Sequence, residues 1–144
     1  MRKKLLLSLT ILLFLVGCTN NNQNIHKQES VKEEMKEIKI IINENEYNIT
    51  LEENETTKEF IKMLPQEYTM KELNGNEKYI YLDKSLPTDS YNPKQINKGD
   101  VMLFGDNCLV IFYKSFNTNY SYTKIGHIDN LPELSKDDIK VKFN

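Results

Sequence analysis

The longest uninterrupted apolar stretches of the chain, apart from its first residues, lie between residues 101 and 113. Residues 101–104 and 108–113 are continuously apolar, and Gly105, Asp106 and Asn107 separate them. Runs this short do not form a pair of helices, whereas a polar break containing glycine is typical of a hairpin turn. Because neither run alternates with polar residues, both faces of the hairpin should be covered, as happens inside a barrel or a sandwich.

Alternating apolar and polar positions predict further strands around this hairpin. The segment 38–51 alternates on both sides of the turn residues 43–45, and it predicts a second hairpin. Strands are also predicted at 68–73 and 79–82, on either side of an Asn-Gly-Asn turn. Tyr120 and Tyr122 alternate with polar residues and lead into Ile125, which predicts another strand. Residues 139–143 should form a closing strand that can pair with the first one.

One short helix is predicted after the first hairpin. Thr56 and Glu59 have the spacing of a capping box, and Pro65 ends the helical pattern. The apolar stripe of this helix consists of Phe60, Ile61 and Leu64. A helix of this length depends on packing rather than on intrinsic propensity.

The first residues predict export and a lipid anchor. Residues 1–17 combine a basic start with an apolar run that is too short to span a bilayer, as in a signal peptide. Residues 15–18, Leu-Val-Gly-Cys, resemble the bacterial lipobox. The resemblance implies cleavage before Cys18, a diacylglyceryl group on its sulfur, and a new amino terminus open to acylation, for example by palmitate. Two or more acyl chains anchor a protein stably. An uncleaved membrane segment and an ordinary secreted protein are the alternatives.

Residues 18–37 predict a flexible polar tether, and residues 38–144 a single domain. The tether is rich in asparagine and charge and cannot form a core. As a coil it would reach about 25 Å, which would hold the domain clear of the lipid headgroups. His26 lies in this tether and is interpreted as a spacer residue.

Charge and residue content argue against several partners. The formal net charge is −2, and removal of the three basic residues of the signal peptide makes it −5. A mildly acidic chain without a basic block is a poor nucleic-acid binder. His26 and His127 are the only histidines and lie far apart, and no CxxC or HxxxH spacing is present. We therefore expect no nucleic acid, metal or cofactor.

Two segments carry a family resemblance: residues 73–93, LNGNEKYIYLDKSLPTDSYNP, and residues 98–129, KGDVMLFGDNCLVIFYKSFNTNYSYTKIGHID. Together they resemble the small bacterial and archaeal cyclophilin-like fold proteins. The resemblance extends over about residues 38–143 and implies a mainly β fold. That fold is a cyclophilin-like closed β-barrel with one or two short helices, one of them packed at an opening.

The resemblance makes peptidyl-prolyl isomerisation the first activity to consider. Cyclophilin isomerases resemble one another in a Phe-His-Arg stretch and in an arginine that stabilises the twisted prolyl amide. Arg2 is the only arginine of this chain and lies in the predicted signal peptide, so the mature chain offers no guanidinium. An isomerase with an atypical active site, acting on exported proteins, is the alternative function.

Aromatic residues fall on consecutive predicted strands, and most of them should belong to the core. A subset, together with three polar residues, is our candidate groove for a peptide or a small ligand. The candidate residues are Tyr79, Tyr81, Phe104, Asn107, Tyr113, Lys114, Tyr120, Tyr122 and Lys124. Tyr120 and Tyr122 should point to the same face and share one role.

No catalytic residue is assigned from the sequence. Cys108 lies in an apolar run without a cationic neighbour and is interpreted as a core residue. Ser115, His127 and Asp129 have the residue types of a catalytic triad, but no nucleophile elbow or similar context surrounds Ser115, so we do not assign one. The sequence thus predicts a lipoprotein on the extracytoplasmic face of the membrane whose domain binds a ligand rather than transforms it.

Overall fold

Ten short strands and one helix make up the regular structure of residues 36–144, which are the residues described by the computed structural model. The strands are β1 (Glu37–Ile42), β2 (Asn45–Leu51), β3 (Gln66–Leu73), β4 (Glu77–Tyr81), β5 (Gln95–Ile96), β6 (Asp100–Phe104), β7 (Cys108–Phe112), β8 (Phe116–Asn117), β9 (Thr123–Ile128) and β10 (Ile139–Phe143). The helix is α1 (Glu55–Ile61). The predicted signal peptide, Cys18 and His26 lie outside the described residues.

Eight of the strands close into a barrel in the order β1-β10-β3-β4-β7-β6-β9-β2. Every neighbouring pair in the barrel is antiparallel, and β5 pairs separately with β8. The prediction of a mainly β closed barrel with a short helix is confirmed. All the strands of the barrel lie within the compact unit Glu33–Asn144, so we expect this fragment to fold without the preceding residues.

The predicted hairpins form with turns that suit their residues. In the β1–β2 turn, Asn43 and Glu44 have φ values of 45° and 74°. Positive φ at both central positions defines the type I′ turn, whose twist matches that of the flanking strands. The β6–β7 hairpin places Leu103 opposite Leu109, and Gly105 takes a φ of 61° in its turn. The predicted pairing of the last strand with the first is also confirmed.

Two apolar clusters lie on opposite sides of the barrel wall. The larger cluster fills the barrel and includes Ile40, Ile49, Met70, Val101, Leu103, Leu109, Ile111, Ile125 and Phe143. The smaller cluster is packed on the outer face of β6 and β7, and its members are Ile96, Met102, Cys108, Val110, Phe112 and Tyr122. Alternate residues of these two strands enter different clusters, which explains why their sequences are continuously apolar.

The structure corrects two local predictions. Asn54, not Thr56, caps α1, because the Asn54 side chain accepts a hydrogen bond of 2.8 Å from the backbone N–H of Thr57. The Thr56 hydroxyl instead donates to the carbonyl oxygen of Pro87. The strand that was predicted to include Tyr120 and Tyr122 begins only at Thr123. Tyr122 forms an isolated bridge with Tyr91, and Tyr120 lies in no strand.

The helix contributes to the interior of the barrel through one residue. Phe60 is fully buried, and its ring meets that of Phe143 on β10 edge to face at 5.3 Å. Asn54 and Thr57 also donate to backbone carbonyls of residues 124 and 125, on β9. The short helix is therefore held by tertiary contacts, as its length requires. No helix within residues 36–144 is long and apolar enough to cross a membrane.

Candidate functional site

The outer face of the barrel carries a groove along β7, and strand register explains its shape. Cys108 on β7 pairs with Tyr81 on β4 and with Phe104 on β6, so the three lie in one row across the sheet. Val110 similarly pairs with Tyr79 on β4. Neighbouring strands are about 4.8 Å apart, so the outer strands of such a row are roughly 10 Å apart. Small side chains on the central strand between large rings leave a groove in the sheet surface.

Two tyrosines from the segment before β9 complete this cavity, which has a volume of about 330 Å³. Phe104 meets Tyr120 at a ring separation of 6.0 Å and Tyr122 at 5.6 Å. We call this site the aromatic groove. Its lining residues are Leu73, Asn74, Glu77, Tyr79, Tyr81, Phe104, Cys108, Val110, Tyr120 and Tyr122.

Several of the rings are open to solvent. Tyr81 is 62% exposed, Phe104 44% and Tyr120 66%, whereas Tyr122 is only 5% exposed. Tyr122 packs edge to face against Phe112 beneath it, at a ring separation of 5.4 Å. Tyr120 and Tyr122 both contact Phe104, but Tyr120 forms the open rim and Tyr122 belongs to the floor. The prediction that these two tyrosines share one role is therefore wrong. Exposed aromatic rings gathered around one cavity are typical of a binding site.

One carboxylate lies in the aromatic groove. Glu77 opens β4 and is 9% exposed. Burial raises its pKa above the usual value, the neighbouring Glu72 carboxylate raises it further, and a hydrogen bond with the Asn74 side chain acts in the opposite direction. None of the ten lining residues carries a positive charge. Among residues 36–144, no lysine forms an ion pair with Glu77.

Cys108 lies on the floor of the aromatic groove, at 6% exposure, with a free thiol. Burial raises the pKa of this thiol, and the charge of Glu77 raises it further. A raised pKa suppresses the thiolate, which is the reactive form. Cys108 is therefore a small apolar floor residue, in agreement with its interpretation as a core residue.

The structure brings five of the nine predicted groove residues together and places the other four elsewhere. Tyr113 lies in the barrel interior. Asn107 lies in the β6–β7 turn, where its side-chain amide donates to the carbonyl oxygen of Leu82. Lys114 forms an ion pair with Glu133. Lys124 points to Asp100 and Glu52 near the helix cap. The five that meet are Tyr79, Tyr81, Phe104, Tyr120 and Tyr122.

A second polar site, inside the barrel, was not expected from the sequence. Lys78 is fully buried, and its ammonium group donates to Glu72 Oε2 at 2.5 Å and to the carbonyl oxygens of Ser135 and Asp137 at 2.6 and 2.7 Å. The Tyr113 hydroxyl donates to the same Glu72 carboxylate, with a shortest distance of 2.9 Å. The lysine also lies 5.1 Å from the centre of the Tyr113 ring. We call this set the internal lysine site.

The pKa values of the internal lysine site follow from these contacts. Burial alone would raise the pKa of Glu72, but hydrogen bonds from Lys78, Tyr113 and the Gly75 backbone N–H lower it below the usual value. Burial and the Glu72 carboxylate raise the pKa of Tyr113 to about 12. At neutral pH the Glu72 carboxylate therefore stays charged and the Tyr113 phenol stays neutral. The hydrogen bonds from Lys78 to the carbonyl oxygens of Ser135 and Asp137 hold residues 135–137 against the barrel.

The trio of Ser115, His127 and Asp129 is not assembled as a catalytic triad. Nδ1 of His127 lies 3.0 Å from Oδ1 of Asp100, which is buried. The Ser115 hydroxyl accepts a hydrogen bond from the Lys98 backbone N–H. Within residues 36–144, no group of three or more His, Cys, Asp and Glu side chains has the arrangement of a metal site.

Leu73, Asn74, Glu77, Cys108 and Val110 line the aromatic groove but were not among the predicted groove residues. A signal for two of them was present: Cys108 and Val110 are small and alternate on a strand whose neighbours carry aromatics. The pairing of β4 with β7 joins residues about thirty positions apart, however, and no local pattern specifies it.

Comparison with known proteins bears on the fold. A family model described as the Cyclophilin-like family matches residues 40–144, which is nearly all of the described domain. No curated protein and no solved structure matches the chain.

Proposed function

We propose that this chain, which belongs to the cyclophilin-like family, is a lipid-anchored binding protein that holds a peptide or small ligand in its aromatic groove without transforming it. The exposure of Tyr81, Phe104 and Tyr120 around one cavity is the observation that carries this proposal. A fold by itself does not assign an activity, so the proposal depends on the groove and not on the family.

The chemistry of the aromatic groove favours binding over prolyl isomerisation. Isomerisation requires stabilisation of a twisted amide against a barrier of about 20 kcal/mol, and preorganised hydrogen-bond donors supply such stabilisation in enzymes. The lining residues offer tyrosine hydroxyls and the Asn74 amide as side-chain donors, but no guanidinium and no ammonium group. Small-ligand sites have this composition: mostly apolar walls with a few polar groups.

The test of binding without catalysis uses one neutral peptide for both properties. The fragment Glu33–Asn144 is titrated with acetyl-Ala-Ala-Pro-Phe-amide, and amide NMR signals are followed. Isomerisation of the nitroanilide form of the same peptide is measured in a protease-coupled assay. We expect groove signals such as that of Val110 to shift without any acceleration over a mock-purified control. Acceleration that Tyr81→Ala abolishes would overturn the non-catalytic assignment.

A pair of variants tests whether a binding signal arises in the aromatic groove. Tyr81→Ala removes an exposed ring of the groove, and Tyr91→Ala removes an exposed ring, at 47% exposure, that does not line it. We expect the first variant to weaken binding at least threefold and the second to leave it unchanged. Equal effects of the two variants would place the binding outside the groove.

The lipid anchor is tested separately in cells that express the full chain. Cys18→Ser should move the protein from the membrane fraction to the soluble fraction, because the sulfur that would carry the acyl chains is gone. Cys108→Ser is the matched control, since it changes the other cysteine and should leave the distribution unchanged. Unchanged membrane retention of Cys18→Ser would overturn the anchoring proposal and leave the groove proposal untouched.

A further inference from the structure

The aromatic groove has an unusual charge pattern for a site that binds neutral peptides. Five of its ten lining residues are aromatic, one is a carboxylate, and none is cationic. Glu77 is nearly buried, yet the groups that act on its carboxylate are the neutral Asn74 amide and the like-charged Glu72. A buried carboxylate without a cationic partner is unfavourable, so an incoming positive charge would relieve a cost that the protein already bears.

The rings around Glu77 complement a cation as well. Tyr79 and Tyr81 meet nearly edge to face at 5.9 Å on the β4 side of the groove, and Phe104 and Tyr120 do so at 6.0 Å on the β6 side. In an edge-to-face pair the two rings differ in orientation by about a right angle, so the two pairs present ring faces and edges in several directions. The electron-rich faces of aromatic rings attract organic cations, and several rings around one cavity form the known cage for alkylated ammonium groups.

We propose that the aromatic groove recognises an organic ammonium ion, with its alkyl groups against the tyrosine and phenylalanine rings and its charge directed toward Glu77. This inference rests on the proposed binding function and names the chemical class of its ligand. An anionic ligand is disfavoured because the groove offers it a carboxylate and no cation. The cavity volume of about 330 Å³ suits a small ammonium compound or one long side chain of a peptide.

The experiment compares a cation with its neutral isostere. The fragment Glu33–Asn144 is titrated with choline and, separately, with 3,3-dimethylbutan-1-ol, in which a carbon replaces the charged nitrogen. NMR shifts of groove amides give both dissociation constants. We expect choline to bind at least tenfold more tightly, because the two compounds share shape and differ in charge.

Two variants connect this preference to named side chains. Glu77→Gln keeps the size of the side chain and removes its charge, so it should reduce the preference for choline by about tenfold and leave binding of the neutral alcohol unchanged. Tyr81→Ala should weaken choline binding by about threefold to thirtyfold. Tyr91→Ala is the control for loss of an exposed ring. Melting curves of each variant show whether the fold is retained.

A second pair of probes distinguishes the two sources of such a cation. Acetyl-Ala-Lys-Ala-amide and its norleucine counterpart differ only in the terminal ammonium group. Preference for the lysine peptide, with or without choline binding, supports ammonium recognition and identifies a peptide side chain as a ligand; preference for choline alone identifies a small molecule.

The outcomes separate this inference from the proposed function. Equal binding of both members of each pair would overturn ammonium recognition and leave the aromatic groove as a binding site for neutral ligands. A preference for the cation that Glu77→Gln leaves undiminished would overturn the role assigned to Glu77. Failure of all these probes, including the neutral proline peptide, to shift any groove signal would overturn both.

Discussion

Glu77 and Lys78 are consecutive residues of β4 and lie on opposite faces of the barrel wall. Lys78 points inward, where a carboxylate and two carbonyl oxygens accept its hydrogen bonds. Glu77 points outward into the aromatic groove, where burial is the main influence on its pKa and no lysine is paired with it among the described residues. Glu77 and Lys78 are thus adjacent buried charges, and of the two only Lys78 is compensated by a partner of opposite charge.

The difference separates a structural charge from a functional one. A buried ion pair with all its hydrogen bonds made can be maintained by the protein alone, whereas removal of one member leaves a strongly unfavourable charge. A buried charge that the fold leaves uncompensated is typical of sites that await a partner. The internal lysine site therefore stabilises the barrel, while the charge of Glu77 is available to a ligand.

The largest expected effect is at Lys78. Lys78→Met retains the length of the side chain but removes the ammonium donor of two carbonyl oxygens and the positive charge beside the Glu72 carboxylate, which keeps its bonds from Tyr113 and Gly75. We expect a loss of about 3–5 kcal/mol in the free energy of unfolding, measured by urea denaturation. Lys71→Met is the control, because Lys71 forms an ion pair with Asp138 on the exposed surface and should cost less than about 1 kcal/mol. Similar losses for the two variants would contradict the structural role of the internal site.

The next effect distinguishes the floor of the aromatic groove from its rim. Tyr122→Ala removes a buried ring that packs against Phe104 and Phe112, and it should destabilise the domain by about 3 kcal/mol. Tyr120→Ala removes an exposed ring and should change stability by less than about 0.5 kcal/mol. Urea denaturation of both variants measures the contrast. A large loss for Tyr120→Ala would assign this ring to the core.

A smaller effect is expected from one hydroxyl of the internal lysine site. Tyr113→Phe removes the hydrogen bond to the Glu72 carboxylate, and bonds to charged groups contribute about 1.5–3 kcal/mol. Tyr47→Phe removes the hydroxyl of a tyrosine on β2 that is only partly buried, and it should fall within about 0.5 kcal/mol. Equal unfolding free energies for Tyr113→Phe and the wild type would show that the hydroxyl contributes nothing.

The smallest effect is a change in pH dependence at Glu77. Because burial raises the pKa of Glu77 above its ordinary value of 4.5, the wild type loses stability as pH rises from that value through the raised pKa. The titratable groups that interact electrostatically with this carboxylate are Glu72, Cys108 and Tyr122. The Cys108 thiol and the Tyr122 phenol are neutral in this pH range, because their pKa values are raised. Glu77→Gln should thus have a higher melting temperature than the wild type at pH 7 and no advantage below about pH 4.

Glu72→Gln should change the melting temperature at pH 7 in the opposite direction, so the two variants together test the sign of both pKa shifts. The pKa of Glu72 is lowered, so the stability that its carboxylate contributes is present above its ordinary value of 4.5 and is lost as pH falls through the lowered pKa. Glu72→Gln should therefore destabilise the domain at pH 7. Glu53→Gln, at an exposed position, is the control. A lower melting temperature for Glu77→Gln at pH 7 would contradict the account of an uncompensated charge.

Most of the fold could be predicted from local patterns. Residues 38–51 alternate with period two around turn-forming residues, and they form β1 and β2. The helix was located correctly but its cap was not, because Asn54 and Thr56 are both good capping residues and only the position of β9 decides between them. Tyr120 and Tyr122 follow the alternation of a strand, yet the bridge of Tyr122 with Tyr91 and the contacts with Phe104 hold them in an irregular segment.

The sequence alone determined that this chain has strands with two covered faces, because the apolar residues of 101–104 and 108–113 are continuous. Only the tertiary structure decided which charged residue faces inward and which outward. Glu77 and Lys78 are both polar residues in a strand, and their roles follow from strand pairings between distant segments, such as Glu77 with Phe112 and Lys78 with Ile111. Burial and charge compensation are properties of such long-range packing, and a local pattern does not contain them.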